Sequence, residues 1–307
     1  MSVLGPEKPQ WECVVDGKAA LGEIPIWDDS KSALYWLDLF SPSFHRTTLG
    51  AESLSVTWPL PAAAGSYAIV EGRDDMVLMA LSTGIFLMDL STGRLRQVLN
   101  APYDQTHFRF NDGRCDSKGR FWIGTARLPQ SDKPDGTGSY WCLDGSNLTR
   151  KFGGVTIANG TAFSPDDSVM YIADRPNWQL LAFDFDVDAA EVTNRRRFAP
   201  VSEGQIPDGA AVDVKGGYWI AMFGAGRILR FLPDGTLDRE LLAPVSHPTM
   251  VAFGGSELSD LYVTSSRQFA AAVVSEEPQA GGVFRTSLDV AGLREPRFRL
   301  PESWMGI

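Results

Sequence analysis

The chain has 307 residues, of which 30 are Gly, 9 are Trp and only 3 each are His and Cys, and its formal net charge is -10. Because 44% of the residues are hydrophobic, there is ample material for a large core, which excludes global disorder. The acidic balance disfavours nucleic acid as a partner, and the absence of CxxC and HExxH motifs excludes zinc-ribbon, thioredoxin-like and zincin sites.

The chain carries no recognisable targeting or anchoring segment. Its N-terminal sequence has no basic region followed by an apolar one, and no apolar run approaches the roughly 18 residues that span a bilayer. The sparse, odd set of cysteines fits a reducing compartment. We therefore expect a cytoplasmic protein without a membrane partner, present as a monomer or a weak homo-oligomer.

A polar turn followed by a short aromatic and β-branched run recurs six times along the chain. The copies occupy residues 27–38, 71–81, 115–125, 163–174, 212–222 and 253–265. Their anchor residues lie 42 to 49 positions apart, and these are Trp36, Leu78, Trp122, Tyr171, Trp219 and Tyr262. Each copy predicts two strands joined by a tight turn, and a repeat of this length indicates a solenoid or a propeller.

A second strand pair follows most copies. Apolar runs alternate around Gly- or Asp-containing turns over residues 84–99, 138–152, 180–198, 226–241 and 281–298, and each predicts a strand, a turn and a return strand. Six repeats of four strands predict an all-β fold, a six-bladed β-propeller of four-stranded antiparallel blades. A β-sandwich or two tandem barrels is the alternative, which the regular period disfavours.

No linker interrupts the repeat, so we expect one propeller domain over residues 1–307. The last copy must pair with N-terminal sequence to close the ring. Residues 11–17, WECVVDG, are the candidate for that closing strand.

Polar residues recur at one offset, 11 to 13 positions before each anchor, where they open an apolar run. They are Glu23, Ser66, Asn111, Asn159, Asp208 and Thr249. Because the first strand of each propeller blade lines the central channel, equivalent positions form a ring around one axis. This ring holds two carboxylates and two carboxamides.

Such a ring suits a divalent cation. Glu23, Asn159 and Asp208 offer oxygen ligands without His or Cys, and oxygen ligands favour hard ions such as Ca²⁺, Mg²⁺ or Mn²⁺. Zn²⁺ and Fe²⁺ also accept carboxylate and amide oxygens. The alternative is that these side chains only hydrogen-bond the backbone of the inner strands.

Five segments together resemble one known family. LGEIPIWDDSKSALYWLDL (21–39), RFNDGRCDSKGRFWIGT (109–125), IANGTAFSPDDSVMYIAD (157–174) and PDGAAVDVKGGYWIA (207–221) are similar to successive motifs of the senescence marker protein, gluconolactonase and luciferin-regenerating enzyme family, which includes regucalcin. HPTMVAFGGSELSDLYVTSS (247–266) is similar to the motif of its last blade. The resemblance covers nearly the whole chain.

The resemblance implies a six-bladed propeller that holds one divalent metal ion, with Ca²⁺ or Zn²⁺ preferred over Mg²⁺, Mn²⁺ or Fe²⁺, and that opens a sugar-derived lactone. It places the metal ligands at Glu23, Asn159 and Asp208, and the substrate-binding pair at Arg109 and Asn111. We hypothesise that Asp208 is also the general base of a gluconolactonase-like hydrolase acting on a carboxylic ester.

Two other functions remain open on the same scaffold. One is a calcium-binding, regulatory propeller without turnover; the other is a hydrolase of a different ester, of the organophosphate type. A pure cation site has no use for Arg109 and Asn111, which favours the lactonase. Outside the ring, His107, His247, Phe223 and Trp178 are weaker candidates for pocket walls, and the polar loop 127–138 is either a rim or lid, or a plain insertion.

Overall fold

The computed structural model describes residues 5–50, 53–129, 135–202, 204–270 and 276–305, and the regular secondary structure of this part of the chain is almost entirely β-strand. The strands coincide with the aromatic and β-branched runs, and the connections carry Gly, Asp and Ser, as hairpin turns require. In chain order the strands of the described residues are β1 (Glu12–Val15), β2 (Gly22–Asp28), β3 (Ala33–Asp38), β4 (Ser43–Thr48), β5 (Leu54–Pro59), β6 (Ala64–Ile69), β7 (Met76–Leu81), β8 (Gly84–Asp89), β9 (Leu95–Asn100), β10 (Phe108–Cys115), β11 (Phe121–Arg127), β12 (Gly138–Asp144), β13 (Asn147–Val155), β14 (Ala158–Phe163), β15 (Val169–Asp174), β16 (Gln179–Asp186), β17 (Glu191–Ala199), β18 (Ile206–Val212), β19 (Tyr218–Phe223), β20 (Arg227–Phe231), β21 (Leu237–Leu242), β22 (Pro248–Gly254), β23 (Asp260–Ser265) and β24 (Val283–Ser287).

The strands form six four-stranded antiparallel sheets. Five sheets contain consecutive strands, β2 to β5, β6 to β9, β10 to β13, β14 to β17 and β18 to β21, and the sixth has the order β22, β23, β24, β1. The predicted six-bladed β-propeller is thus confirmed. Two short 3-10 helices, Arg175–Asn177 and Glu302–Trp304, are the helical elements of the described residues. No helix in those residues is long and apolar enough to cross a membrane.

The sixth blade is completed by the N-terminal strand, as predicted. Strand β1 pairs antiparallel with β24, with Cys13 opposite Phe284 and Val15 opposite Val283. An ion pair of 2.5 Å between Glu12 and Arg285 adds to this edge. The ring is therefore closed by hydrogen bonds between the two ends of the chain.

The predicted return strand within residues 281–298 is wrong. Only Val283–Ser287 is a strand there, because β1 already fills the outer position of the sixth blade. The following segment instead crosses the end of the propeller. Gly292 bridges to Asp213 of the fifth blade, and Phe298, fully buried, bridges to Val70 beside the second. The apolar residues of this segment are thus buried between other blades.

The hydrophobic core lies between neighbouring blades rather than in one centre. All six anchor residues are on the second strand of a blade and are at most 3% exposed. Aromatic rings join successive blades: Phe44 meets Tyr67 at 4.8 Å between ring centroids, and Tyr171 meets Tyr218 at 5.1 Å. Since each blade buries its face on the next, the ring position of every inner strand is fixed by packing.

Two turns explain why Trp anchors the third and fifth blades. In the fifth blade, the buried Asp213 carboxylate accepts hydrogen bonds from Trp219 Nε1 and Arg230 Nε, each at 2.7 Å. It also accepts backbone N–H groups of Lys215 and Gly217, each at 2.9 Å. We call this arrangement the aspartate–tryptophan turn. In the third blade, Asp116 makes the same bonds to Trp122, Arg120 and the backbone of the turn.

The innermost strands present the predicted ring. The six ring residues lie on β2, β6, β10, β14, β18 and β22, one in each blade. Each of these strands has a register irregularity beside its ring residue. Bulges of this kind re-aim side chains and are common next to binding sites. They turn the polar side chains toward the channel without breaking the blade.

Candidate active site

One end of the central channel is a small pocket, and it contains every site residue predicted from the sequence. Glu23 comes from β2, Arg109 and Asn111 from β10, Asn159 from β14 and Asp208 from β18. Four blades therefore contribute to one site. The apolar part of the wall is formed by Leu21, Leu39, Ile157, Phe223 and Phe269.

The two remaining ring residues do not line the pocket. The hydroxyl of Ser66 donates to the carbonyl of Gly113 at 2.8 Å, and that of Thr249 donates to the carbonyl of Gly22 at 2.5 Å. Both link the inner strands of neighbouring blades. For these two positions the backbone-bonding alternative is what the structure shows.

A chain of short hydrogen bonds runs along one wall of the pocket. Arg109 Nη1 donates to Asn111 Oδ1 at 2.5 Å and to the carbonyl of Phe110 at 2.9 Å. Asn111 Nδ2 donates to Asn159 Oδ1 at 2.6 Å and to the carbonyl of Ala158, also at 2.6 Å. All three side chains are at least nine-tenths buried. Their orientations are therefore fixed before any ligand binds.

The carboxylates of Glu23 and Asp208 line the same pocket, and their negative charges repel each other. Burial and the nearby charges of Asp208 and Asp112 hold the pKa of Glu23 well above its usual value. Burial also raises the pKa of Asp208, although the guanidinium groups of Arg175 and Arg109 oppose that shift. An acidic pair with elevated pKa values is stabilised in its ionised form by a bound cation.

The residues present fit a divalent metal ion by their donor chemistry. Glu23 and Asp208 supply carboxylate oxygens, and the amide oxygen of Asn159 lies in the same pocket. Nowhere in the described ranges do three or more His, Cys, Asp or Glu residues form a group that could hold a metal. A divalent ion held here would therefore take a carboxamide as its third protein ligand, in an oxygen-only set of the kind that hard cations prefer.

Two charged residues of the site were missed by sequence reasoning. Asp112 is 4% exposed; its Oδ2 accepts the backbone N–H of Thr161 at 2.7 Å, and burial raises its pKa to about 6. It directly follows Asn111, so the RFND motif was the available signal. Arg175 lies in the 3-10 helix Arg175–Asn177 after β15 and lines the pocket. It has no counterpart in the repeat, so the repeat offset could not reveal it.

The weaker candidates have mixed outcomes. Phe223 forms part of the pocket wall, whereas Trp178 is not among the lining residues. His247 packs behind Phe223, with 4.9 Å between ring centroids. His107 is exposed and hydrogen-bonds Asp104 at 3.0 Å on the surface, outside the pocket. Of the loop 127–138, residues 130–134 lie outside the described residues.

A larger cavity, of about 850 Å³, lies at the opposite end of the channel. It is lined by the far ends of the inner strands and by the C-terminal segment, including the ion-paired Arg114 and Glu295, 3.2 Å apart. None of the predicted site residues borders it. We therefore place the candidate active site in the smaller pocket, where the polar side chains converge.

Comparison with known proteins agrees with this architecture. Residues 21–267 match the SMP-30/gluconolactonase/LRE-like region. A 6-deoxy-6-sulfogluconolactonase of Pseudomonas putida is 39% identical over 291 residues, covering 94% of this chain and 98% of that protein. An L-arabinolactonase of Azospirillum brasilense is 31% identical, covering 93% and 94%. The crystal structure of a regucalcin from Agrobacterium tumefaciens, described as a calcium-binding protein, superimposes with a TM-score of 0.90 at 27% identity, covering 97% and 100%.

The matched region extends from the first blade to the sixth and includes all five predicted site residues. The chain belongs to the SMP-30/gluconolactonase/LRE-like family.

Proposed function

We propose that this protein is a metal-dependent lactonase, which hydrolyses a sugar-derived lactone, an aldonolactone, to the open-chain sugar acid. The observation that carries the proposal is the convergence of Glu23, Asn159 and Asp208 with the Arg109–Asn111 pair in one buried pocket. Relatives named as lactonases of two different sugars support it. A cation-binding protein without turnover has no need for the fixed guanidinium and amide.

Glu23, Asn159 and Asp208 would hold one divalent ion. When bound, such an ion polarises an ester carbonyl and lowers the pKa of water. The remaining steps belong to the side chains of this chain. We assign to the Asp208 carboxylate the proton that the attacking water loses, because this carboxylate lies in the pocket where that water would be activated.

In the proposed hydrolysis Asp208 takes up one proton and later releases it. The water oxygen bonds to the lactone carbonyl carbon, the bond from that carbon to the ring oxygen breaks, and Asp208 returns the proton to the ring oxygen as it becomes a hydroxyl. No net proton is gained or lost by the carboxylate. One residue can serve both steps because the proton that it takes first is the proton that it delivers later.

Arg109 and Asn111 would orient the substrate. The hydrogen bonds from Arg109 Nη1 hold the guanidinium against the wall, and within the described residues no acceptor is bonded to its Nε or Nη2. These N–H groups suit a sugar hydroxyl or the lactone carbonyl. A substrate held by a pre-oriented donor loses less freedom in reaching the transition state.

The test is a metal and substrate panel. The protein is stripped with a chelator, Ca²⁺, Zn²⁺, Mg²⁺, Mn²⁺ or Fe²⁺ is added singly, and acid release is followed for glucono-, galactono-, arabinono- and xylonolactone. We expect restoration by Ca²⁺ or Zn²⁺ on at least one lactone. If no metal stimulates hydrolysis of any lactone while Ca²⁺ binds tightly by calorimetry, the proposal fails, and a calcium-binding role becomes the better account.

A further inference from the structure

Arg175 is a second guanidinium in the pocket that the lactonase chemistry does not require. It begins the 3-10 helix after β15, and this helix contacts β18, the strand that carries Asp208. The guanidinium carbon lies 5.4 Å from the centroid of the Phe223 ring, which fixes the group by a cation–π contact. The charge of Arg175 is thus held at the pocket by its neighbours.

The side chain of Arg175 has no partner of its own in the described part of the chain. Its Nε is buried without a hydrogen-bond acceptor, and no carboxylate there lies within the 4.0 Å of an ion pair. Arg109, in contrast, is tied to Asn111 and to the backbone. A buried donor without an acceptor is costly, and bound ligands commonly satisfy such groups.

The net charge of the site also favours an anionic ligand. Of the residues that line the pocket, Glu23 and Asp208 contribute two negative charges when ionised, and Arg109 and Arg175 contribute two positive ones. The lining is therefore neutral without a divalent ion and would be positive with one. A neutral lactone leaves that positive charge uncompensated, whereas an anionic lactone reduces it.

We propose that Arg175 selects sugar lactones that carry an anionic substituent, such as a sulfonate or a carboxylate. A guanidinium stacked on an aromatic ring keeps its edge N–H groups available, and their fork matches the paired oxygens of such an anion. Phe223 and Phe269 border the same pocket, and apolar neighbours lower the local dielectric constant, which strengthens that attraction. This inference rests on the proposed lactonase function and names its substrate class.

The experiment compares matched lactones on the metal-loaded protein. The kcat/KM values are measured for glucono-1,5-lactone, for its 6-deoxy-6-sulfo analogue and for the lactone of glucaric acid, with wild type, Arg175→Met and Arg175→Lys. We expect wild type to prefer at least one anionic lactone by about tenfold or more, as one charged contact provides. In Arg175→Met this preference disappears, because the contact that distinguishes the anionic lactone from the neutral one is lost.

Arg175→Lys keeps the charge but loses the fork, so we expect an intermediate preference. The matched control is Arg267→Gln, which removes a positive charge from the segment leading to Phe269; its guanidinium bonds only the carbonyl of Pro278, at 3.3 Å, among the described residues. The control should retain the full preference. The thermal unfolding midpoint of Arg175→Met, compared with that of wild type, reports that the variant is folded, and the preference is read from the ratio of anionic to neutral kcat/KM within each variant.

The outcomes separate the two proposals. If neutral lactones are hydrolysed but the ratio of anionic to neutral kcat/KM is the same in wild type and Arg175→Met, the inference about Arg175 is overturned and the lactonase function stands. If no lactone is hydrolysed, the lactonase proposal fails. The anion site is then tested by calorimetry with methyl 6-deoxy-6-sulfoglucoside and methyl glucoside, and equal affinities in wild type and Arg175→Met overturn it.

Discussion

The aspartate–tryptophan turn of the fifth blade allows a stability prediction of definite size. In Asp213→Ala the carboxylate that accepts Trp219 Nε1, Arg230 Nε and two backbone N–H groups is removed. Trp219 and the backbone N–H of Gly217 are buried, so water cannot replace the lost acceptor. Arg230 keeps a second carboxylate, Asp238, which limits the damage.

The expected loss follows from these contacts. Removing one partner of a buried, hydrogen-bonded ion pair costs about 3–5 kcal/mol. Although burial raises the pKa of Asp213, hydrogen bonds from Arg230 and Trp219 outweigh it and lower the pKa below its usual value, which shows that the ionised form is the stabilised one. For a chain of 307 residues, with an unfolding entropy of about 2.1 cal/mol/K per residue, this loss lowers Tm by about 5–8 °C.

The assay is differential scanning calorimetry of wild type and three variants. Asp116→Ala removes the equivalent carboxylate in the third blade and should give a similar shift, because the two turns share their bonds. Asp89→Ala is the matched control: Asp89 also accepts two backbone N–H groups in a turn, but at the surface and without Trp or Arg. A shift for Asp213→Ala no larger than that for Asp89→Ala would refute the reasoning.

Three further predictions concern the site and the pH dependence of stability. For Asp208→Asn, folded and saturated with metal, we expect kcat for lactone hydrolysis to fall at least about 100-fold, because no carboxylate is left to take the proton of water. A kcat equal to that of wild type would contradict the role of Asp208 as the base. Glu23→Gln should weaken divalent-ion binding at least about tenfold by calorimetry, whereas Ser66→Ala, a ring position outside the pocket, should not; equal affinities would remove Glu23 from the ligand set. His45 is partly buried and stacks on Trp36 at 3.9 Å, and burial lowers its pKa to about 4 from 6.5. As the pH falls, His45 is therefore protonated in the unfolded chain before it is protonated in the folded one. This residue does not affect stability above about pH 7. It destabilises the fold by at most about 3 kcal/mol as the pH falls from 6.5 to 4. His45→Gln removes this component, so in urea unfolding its stability relative to wild type should rise between pH 7 and pH 4.5, and a constant difference would contradict the assignment.

Much of the fold could be predicted because each blade is specified locally. The turn residues and the buried anchors, such as Trp122 and Trp219, lie within a few positions of one another, so a repeat can be found by spacing alone. The ring residues could be predicted for a similar reason, because equivalent positions of a closed ring of blades face one axis. That Glu23, Asn159 and Asp208 bind a metal, and that residues 1–307 form one domain, stay predictions.

The features that sequence reasoning missed depend on contacts between distant segments. The segment after β24 contains strand-like residues but forms no fourth strand of the sixth blade. The outer edge of that blade is occupied by β1, which comes from the other end of the chain. Arg175 reaches the pocket through a 3-10 helix that, within the described residues, no other blade has. Neither position could be inferred from a period, because neither repeats.

The pairing of β1 with β24 also has a consequence for the order of events during synthesis. Glu12 and Arg285 are 273 positions apart, so the first strand to leave the ribosome must wait for one of the last. Until then the sixth blade lacks its outer strand. Contacts of such long sequence separation form late and slowly. A nascent chain can therefore complete its blades one by one, yet the pocket that four of them share becomes rigid only when nearly the whole polypeptide is made.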